Sequence, residues 1–295
     1  MDLTLKIISF IFGILGYFPI SILRLFGFGL GWVFWVVSPK YRKKIRENWE
    51  TAIMSEVKPG MNKASFPLAV GNAGLLISEL PKIWSNKKPT VAIKMNGLDK
   101  VADLLKKGKG LICLTPHLGA FELAPRLYSE HFPITVLYKP PKNKLLRKLL
   151  LHLRHNSKIN FVISDYSGVK ELLKALRRGE SVGILPDQVP FLNAGVWAPF
   201  FGKAAYTNLL AIRLATITRA PIVWVTCERR MSGWTLNFQE WLQFEEIKKT
   251  VSETVELSTL MNKYVEGLVC SDPNHYLWSY DRYKKPKVRE NFNEI

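Results

Sequence analysis

The stretch "LICLTPHLGAFELAP", residues 111–125, carries the reading of this chain. Its apolar start reads as a buried strand running from about 110 to 115, ended by Pro116, which cannot donate to a sheet ladder. His117 then falls just beyond the strand's carboxyl end, where open α/β sheets place their ligands. If the next helix begins near Phe121, Glu122 lies in its first turn, where a carboxylate suits the helix dipole, and Pro125 is tolerated there too. On one continuous helix residues 117 and 122 would point about 140° apart. A strand-end histidine and a first-turn glutamate can instead converge, so the carboxylate could hold one ring nitrogen as a donor and leave the other free to accept a proton.

Outward from this stretch the pattern alternates. The segments "LDKVADLLKKGKG", "FELAPRLYSEHF", "NKLLRKLLLHLRH", "SGVKELLKALRRGE" and "YTNLLAIRLATITRA" read as helices, and "PITVLY", "INFVIS", "SVGIL", "PIVWVTCE" and "WTLNFQEW" as strands. Such a series predicts an α/β fold, a central mixed but largely parallel sheet flanked by helices. Residues 41–90 lack strand-like runs and read as a helical lead-in. A final helix carries Val251, Val255, Leu260, Met261, Tyr264 and Leu268 on one stripe, expected to be core. Residues 186–203, with three prolines and two glycines, read as a long functional loop.

The N-terminus reads differently. Across residues 7–39 the only charge is Arg24, and the two uncharged stretches it separates are each marginal for the roughly 20 apolar residues that cross a bilayer. No small-x-small cleavage site follows, so residues 1–39 are expected to remain as a membrane anchor, with 40–295 forming a cytoplasmic domain. Two geometries fit: a tilted span whose Arg24 snorkels, or a kinked, partly inserted hairpin broken near 16–19 and 27–31. Lys40, Arg42, Lys43, Lys44 and Arg46 follow directly and favour the cytoplasmic face and anionic headgroups.

Bulk properties agree. The chain has 295 residues, is 47% apolar, and carries a formal net charge of +18, so it can bury a sizeable core and meet an anionic partner. Nucleic acid is disfavoured because no recognisable nucleic-acid motif is present. Cys113, Cys227 and Cys270 are expected to be buried thiols, and no Cys/His spacing suits a structural metal. No GxSxG elbow supplies a serine nucleophile, so any hydroxyl attacked or activated at His117 belongs to a substrate.

"HLGAFE" resembles the His-x-x-x-x-Asp/Glu signature of the membrane glycerolipid and lipid A acyltransferases. "VLYKPPKNKLL", "GESVGILPDQ", "GVWAPFFGKAAYTN" and "DPNHYLWSYDRYKKP" are similar, in order, to further blocks of the lipid A late acyltransferases. The chain departs from their pattern at Lys139, where the family usually has arginine, at Lys144, where it has proline, and at 279–282, where relatives often show His-Arg-Arg.

The resemblance implies acyl transfer from an acyl carrier protein thioester to a hydroxyl of a lipid A precursor at the cytoplasmic face of the inner membrane. No cofactor and no metal would be needed. It implies His117 as general base with Glu122 fixing its tautomer. Substrate contacts are expected from Lys139, Asp187, Gln188, Phe200, Phe201, Thr207 and Arg282. Asp187 and Gln188, at the end of another predicted strand, could face His117 across the sheet, and Phe191, Trp197, Phe200 and Phe201 of the long loop could line an acyl channel. Arg147, Lys148 and Arg154 are candidates for acceptor phosphates or for the acidic carrier. Two other readings stay open: a lysophospholipid or glycolipid acyltransferase that uses acyl coenzyme A or acyl carrier protein, and a basic membrane or RNA-binding protein without catalysis.

Overall fold

The computed structural model describes residues 3–55, 60–84, 91–141, 143, 147, 148, 150, 152, 158–244 and 254–288, with side chains from residue 8 onward. The expected positions Lys144, Arg154 and Val251 lie outside the described residues, as does most of the helix expected over 143–155.

The chain runs α1 (Leu3–Leu15), α2 (Ile20–Val37), α3 (Pro39–Met54), α4 (Phe66–Asn72), α5 (Leu75–Ser78), α6 (Leu80–Ile83), β1 (Ala92–Asn96), α7 (Leu98–Lys106) and β2 (Leu111–Leu114). It continues α8 (Ala124–Ser129), β3 (Ile134–Tyr138), β4 (Ile159–Ile163), α9 (Tyr166–Arg177) and β5 (Ser181–Ile184). The last third is β6 (Gly195–Phe200), β7 (Lys203–Asn208), α10 (Leu210–Thr218), β8 (Ile222–Arg230), β9 (Gly233–Glu240) and α11 (Thr254–Ser271).

Seven strands form one sheet in the order β1-β9-β8-β2-β5-β3-β4. Only β8 and β9 are antiparallel, joined by a tight turn at Met231 and Ser232, and every other pair is parallel. β2 and β5 at the centre are buried along their whole length, as strands covered on both faces must be. Alternate residues feed two cores. Ile112, Leu114, Val182 and Ile184 pack with Leu172 and Leu176 of α9, Leu214 of α10 and Met261 of α11. Leu111, Cys113 and Val223 pack on the other face with Leu127 of α8, Val101 of α7, Ile83 and Ile20. The α/β architecture and the helical lead-in are as the sequence predicts.

Two elements differ from that reading. β1 was not foreseen. The expected loop over 186–203 is partly a β-hairpin, β6–β7, paired from Gly195↔Asn208 to Phe200↔Lys203. Its two turn residues, Phe201 (φ 48°) and Gly202 (φ 73°), are both left-handed, as a two-residue turn matched to strand twist requires. The unfavourable Phe201 backbone is held by its N–H donating to buried Glu266 at 2.6 Å.

At the N-terminus the chain breaks over 16–19 and α2 runs unbroken through 27–31, where a break was also expected. Gly27 and Gly31 serve close packing: a Cβ on Gly31 would lie 2.4 Å from the Val70 carbonyl oxygen. Arg24 does not snorkel. Its Nε donates to Glu79 at 2.7 Å, Arg229 Nε donates to the other oxygen at 2.8 Å, and Glu79 is fully buried. Among the described residues α2 is the one helix long and apolar enough to cross a membrane, and only 22% of it is buried.

Candidate active site

β2 and β5 lie side by side with Leu114 opposite Ile184. Three residues past that last pair come His117 and Asp187, the same 70 residues apart, so the sheet's register delivers both side chains to one spot. Gly119 holds the loop after β2 in place. It sits at φ +64° against β8, where an added Cβ would lie 2.0 Å from the Cys227 carbonyl oxygen, and Ala120 N–H donates to that oxygen at 2.8 Å. A single 3-10 turn, Phe121–Leu123, then leads into α8, with Pro125 in its first turn as expected.

Asp187 is buried beneath His117 and accepts three hydrogen bonds. One Oδ1 takes the His117 Nδ1–H at 2.9 Å, while Oδ2 takes the His117 backbone N–H and the Tyr276 hydroxyl, each at 3.0 Å. Burial pushes the carboxyl up. His117's charge and hydrogen bonds, with the charge of Arg282, outweigh this and hold it below the ordinary carboxylate range. An ionised partner at Nδ1 puts the proton on that nitrogen and leaves Nε2 as an acceptor. Gln188 Nε2 lies 3.4 Å from Nε2, close enough to donate to it until another group displaces it. The imidazole is stacked on Tyr280 (5.2 Å between centroids, 12°) and meets the edge of Phe121 at 4.9 Å. The C-terminal segment straps the loop: Leu277 N–H donates to the His117 carbonyl, and Asn48 ties the strap down through the Trp278 and Tyr280 carbonyls.

His117 opens into a cavity of about 300 Å³ between the sheet and α8. Its mouth carries His117, Glu122, Lys139, Gln188 and Asn208, and its depth is lined by Ile134, Val136, Phe161, Gly183, Tyr128 and Trp84. Lys139, past the end of β3, rides over the Phe191 ring at 4.8 Å.

The structure therefore brings together His117, Glu122, Lys139, Asp187 and Gln188. The carboxylate that meets the imidazole at Nδ1 is Asp187, where the sequence reading expected Glu122 to hold a ring nitrogen. Glu122 instead lines the cavity. Phe200, Phe201, Thr207 and Arg282, from which substrate contacts were expected, are all buried and are not among the residues that line the cavity. Both phenylalanines close the hairpin against the core. Arg282 donates to the Tyr206 carbonyl, Thr207 and Asn262, and lies over the Phe200 ring. Phe191 and Trp197 are likewise absent from the cavity wall. Tyr276 and Tyr280 were missed as site residues, and only their place in the C-terminal aromatic block pointed to them.

Comparison with known proteins adds an independent line. The sequence profile of the bacterial lipid A biosynthesis acyltransferase family matches residues 4–285. The chain is 25% identical over 211 residues to the lipid A biosynthesis palmitoleoyltransferase of Escherichia coli, covering 70% of this chain and 66% of that protein, just under two thirds of its length. It is 24% identical over 212 residues to the lipid A biosynthesis lauroyltransferase of the same organism, covering 72% and 68%. It is also 24% identical over 274 residues to a lipid A biosynthesis acyltransferase of Haemophilus influenzae, covering 90% and 85%.

Proposed function

We propose an activity from one premise: the chain belongs to the bacterial lipid A biosynthesis acyltransferase family. It moves a fatty acyl group from the thioester of acyl carrier protein to a hydroxyl of a lipid A precursor, with no covalent acyl-enzyme. The observation that carries this is the Asp187–His117 pair opening, through Nε2, onto an apolar-walled cavity.

The acceptor hydroxyl replaces Gln188 at Nε2 and gives up its proton as its oxygen bonds to the thioester carbon. The tetrahedral intermediate then collapses, the carbon–sulfur bond breaks, and the imidazolium returns the proton to the leaving thiolate. Asp187 fixes the tautomer and stabilises the imidazolium. Glu122, Gln188 and Lys139 border the reacting atoms at the cavity mouth, and the lysine offers a point charge to a phosphate. The net charge of +18 suits both an acidic carrier and a phosphorylated acceptor.

Residues 1–39 anchor the protein at the cytoplasmic face of the inner membrane. Phe10, Ile14, Leu25, Phe26, Val36 and Val37 are exposed on α1 and α2 and enter the lipid, and the basic cluster at the start of α3 meets the headgroups. The test is an in vitro assay offering acyl carrier protein and coenzyme A thioesters with a tetraacylated lipid A precursor or a lysophospholipid. Turnover with the first of each pair, lost in His117→Ala, supports the reading. Turnover only with the lysophospholipid, or undiminished turnover in His117→Ala, overturns it.

A further inference from the structure

The cavity lies over a row of the sheet whose two central positions are nearly bare of side chains. Register across the parallel strands aligns Val223, Cys113, Gly183, Val136 and Phe161 on the face beneath α8. Central strands covered on both faces ordinarily fill such positions with Val, Ile or Leu. Here the two central strands present only a thiol and a hydrogen, and both residues line the cavity. One row nearer the strand starts, larger side chains return. Ile134 and Ile159 stand beside Ser181, and Tyr128 descends from α8 to meet the serine hydroxyl at 2.5 Å. The two hydroxyls satisfy each other, so a terminal methyl arriving there strands neither of them. Trp84 forms a side wall and is backed by Phe12 of α1, stacked at 6.4 Å.

We infer that Gly183, with Val136 leaning across it, fixes the length of acyl chain the cavity accepts, and that the chain is a decanoyl to dodecanoyl group. This rests on the acyl-transfer reading above. The volume of about 300 Å³ is about twice that of a roughly 150 Å³ apolar cavity that takes up benzene, so it holds on the order of twelve carbons. The carbonyl carbon stays at the mouth beside His117. A Cβ on Gly183 would lie 3.1 Å from Val136 Cγ2 and 3.4 Å from Ile134 Cδ1, so it fits only by nudging Val136 and takes its volume from the chain's path. Trimming Val136 does the reverse.

The experiment measures kcat/KM of the full-length protein for acyl carrier protein thioesters from octanoyl to palmitoyl, with wild type, Gly183→Ala and Val136→Ala. Wild type should peak at decanoyl or dodecanoyl. Gly183→Ala should peak one even-numbered homologue shorter, with about a 10-fold or greater loss on the wild-type favourite. Val136→Ala should peak one homologue longer. Active variants whose profiles coincide with wild type overturn the inference. If Gly183→Ala does not fold, an unshifted Val136→Ala profile does so alone. If wild type turns over no thioester, the acyl-transfer reading is what has failed, and thermal stabilisation by free fatty acids reads the cavity separately. A maximum at decanoic or dodecanoic acid supports the assignment, and no dependence on length overturns it.

Discussion

Asp187 concentrates the site's energetics. A buried carboxylate persists as an anion only when its acceptor capacity is used, and three donors use it here. Its folded pKa lies below its ordinary value, so it contributes stability that is complete above a pH of about 4 and lost as the pH falls further. Asp187→Asn keeps the shape but no longer enforces the Nδ1–H tautomer. It should lower kcat by about 10² to 10⁴ with KM little changed, and flatten the stability lost below a pH of about 4, read by thermal unfolding against pH. An unchanged kcat would remove the pair from the mechanism. Tyr276→Phe deletes one buried donor to that carboxylate and should cost about 1–3 kcal/mol of stability, measured by chemical denaturation. His117 was legible because an apolar run ending at a proline locates a strand end, and Asp187 was legible as a second strand end that could face it. That Asp187 rather than Glu122 binds Nδ1 was not, because His117 and Asp187 are 70 residues apart and strand register alone pairs them.

At the scale of elements, α2 is an apolar helix docked on one side and exposed on the other. One side carries exposed Ile22, Leu25, Phe26 and Val33, and the other packs Leu23, Gly27 and Gly31 against α4 and α5. Its lone charge is neutralised by Glu79, which also holds Arg229 of β8 and so joins the helix to the sheet. Glu79→Ala leaves two guanidinium groups largely buried without a counter-charge and should destabilise the protein by about 3–5 kcal/mol. A denaturation midpoint near that of wild type would show that water or lipid headgroups reach the cluster. The sequence displayed Arg24 as an anomaly without identifying its partner, since ion pairs between residues 24, 79 and 229 depend on packing. The β6–β7 hairpin hid for another reason. Its turn places Phe201 in a backbone region that bulky residues rarely enter, so local preference argued for a loop.

For the whole molecule, the proposed membrane attachment rests on two forces that salt separates. Attraction between a +18 chain and anionic lipid is screened over about 10 Å at 0.1 M salt, whereas burial of the exposed apolar face of α1 and α2 is not. Binding to phosphatidylglycerol vesicles should weaken with salt yet persist at high salt, and Leu25→Glu with Phe26→Glu should abolish the residual part. Sedimentation with vesicles reads both. Complete release of the wild type by salt alone would make the attachment electrostatic and remove the role given to these helices.

By itself the sequence determined the α/β class, the helical lead-in, the apolar N-terminus with its basic flank, the resemblance to lipid A acyltransferases, and the position of His117. These follow from local periodicity, from residue types that punctuate the chain, and from short motifs, all of which are written in neighbouring residues. Tertiary structure decided which carboxylate holds the imidazole, that Arg282 and the hairpin phenylalanines are core, and that a bare row at Cys113 and Gly183 lies beneath a cavity. Those depend on the register of strands distant in sequence. A one-residue slip would turn every side chain of a strand to the other face, and nothing local records which register wins.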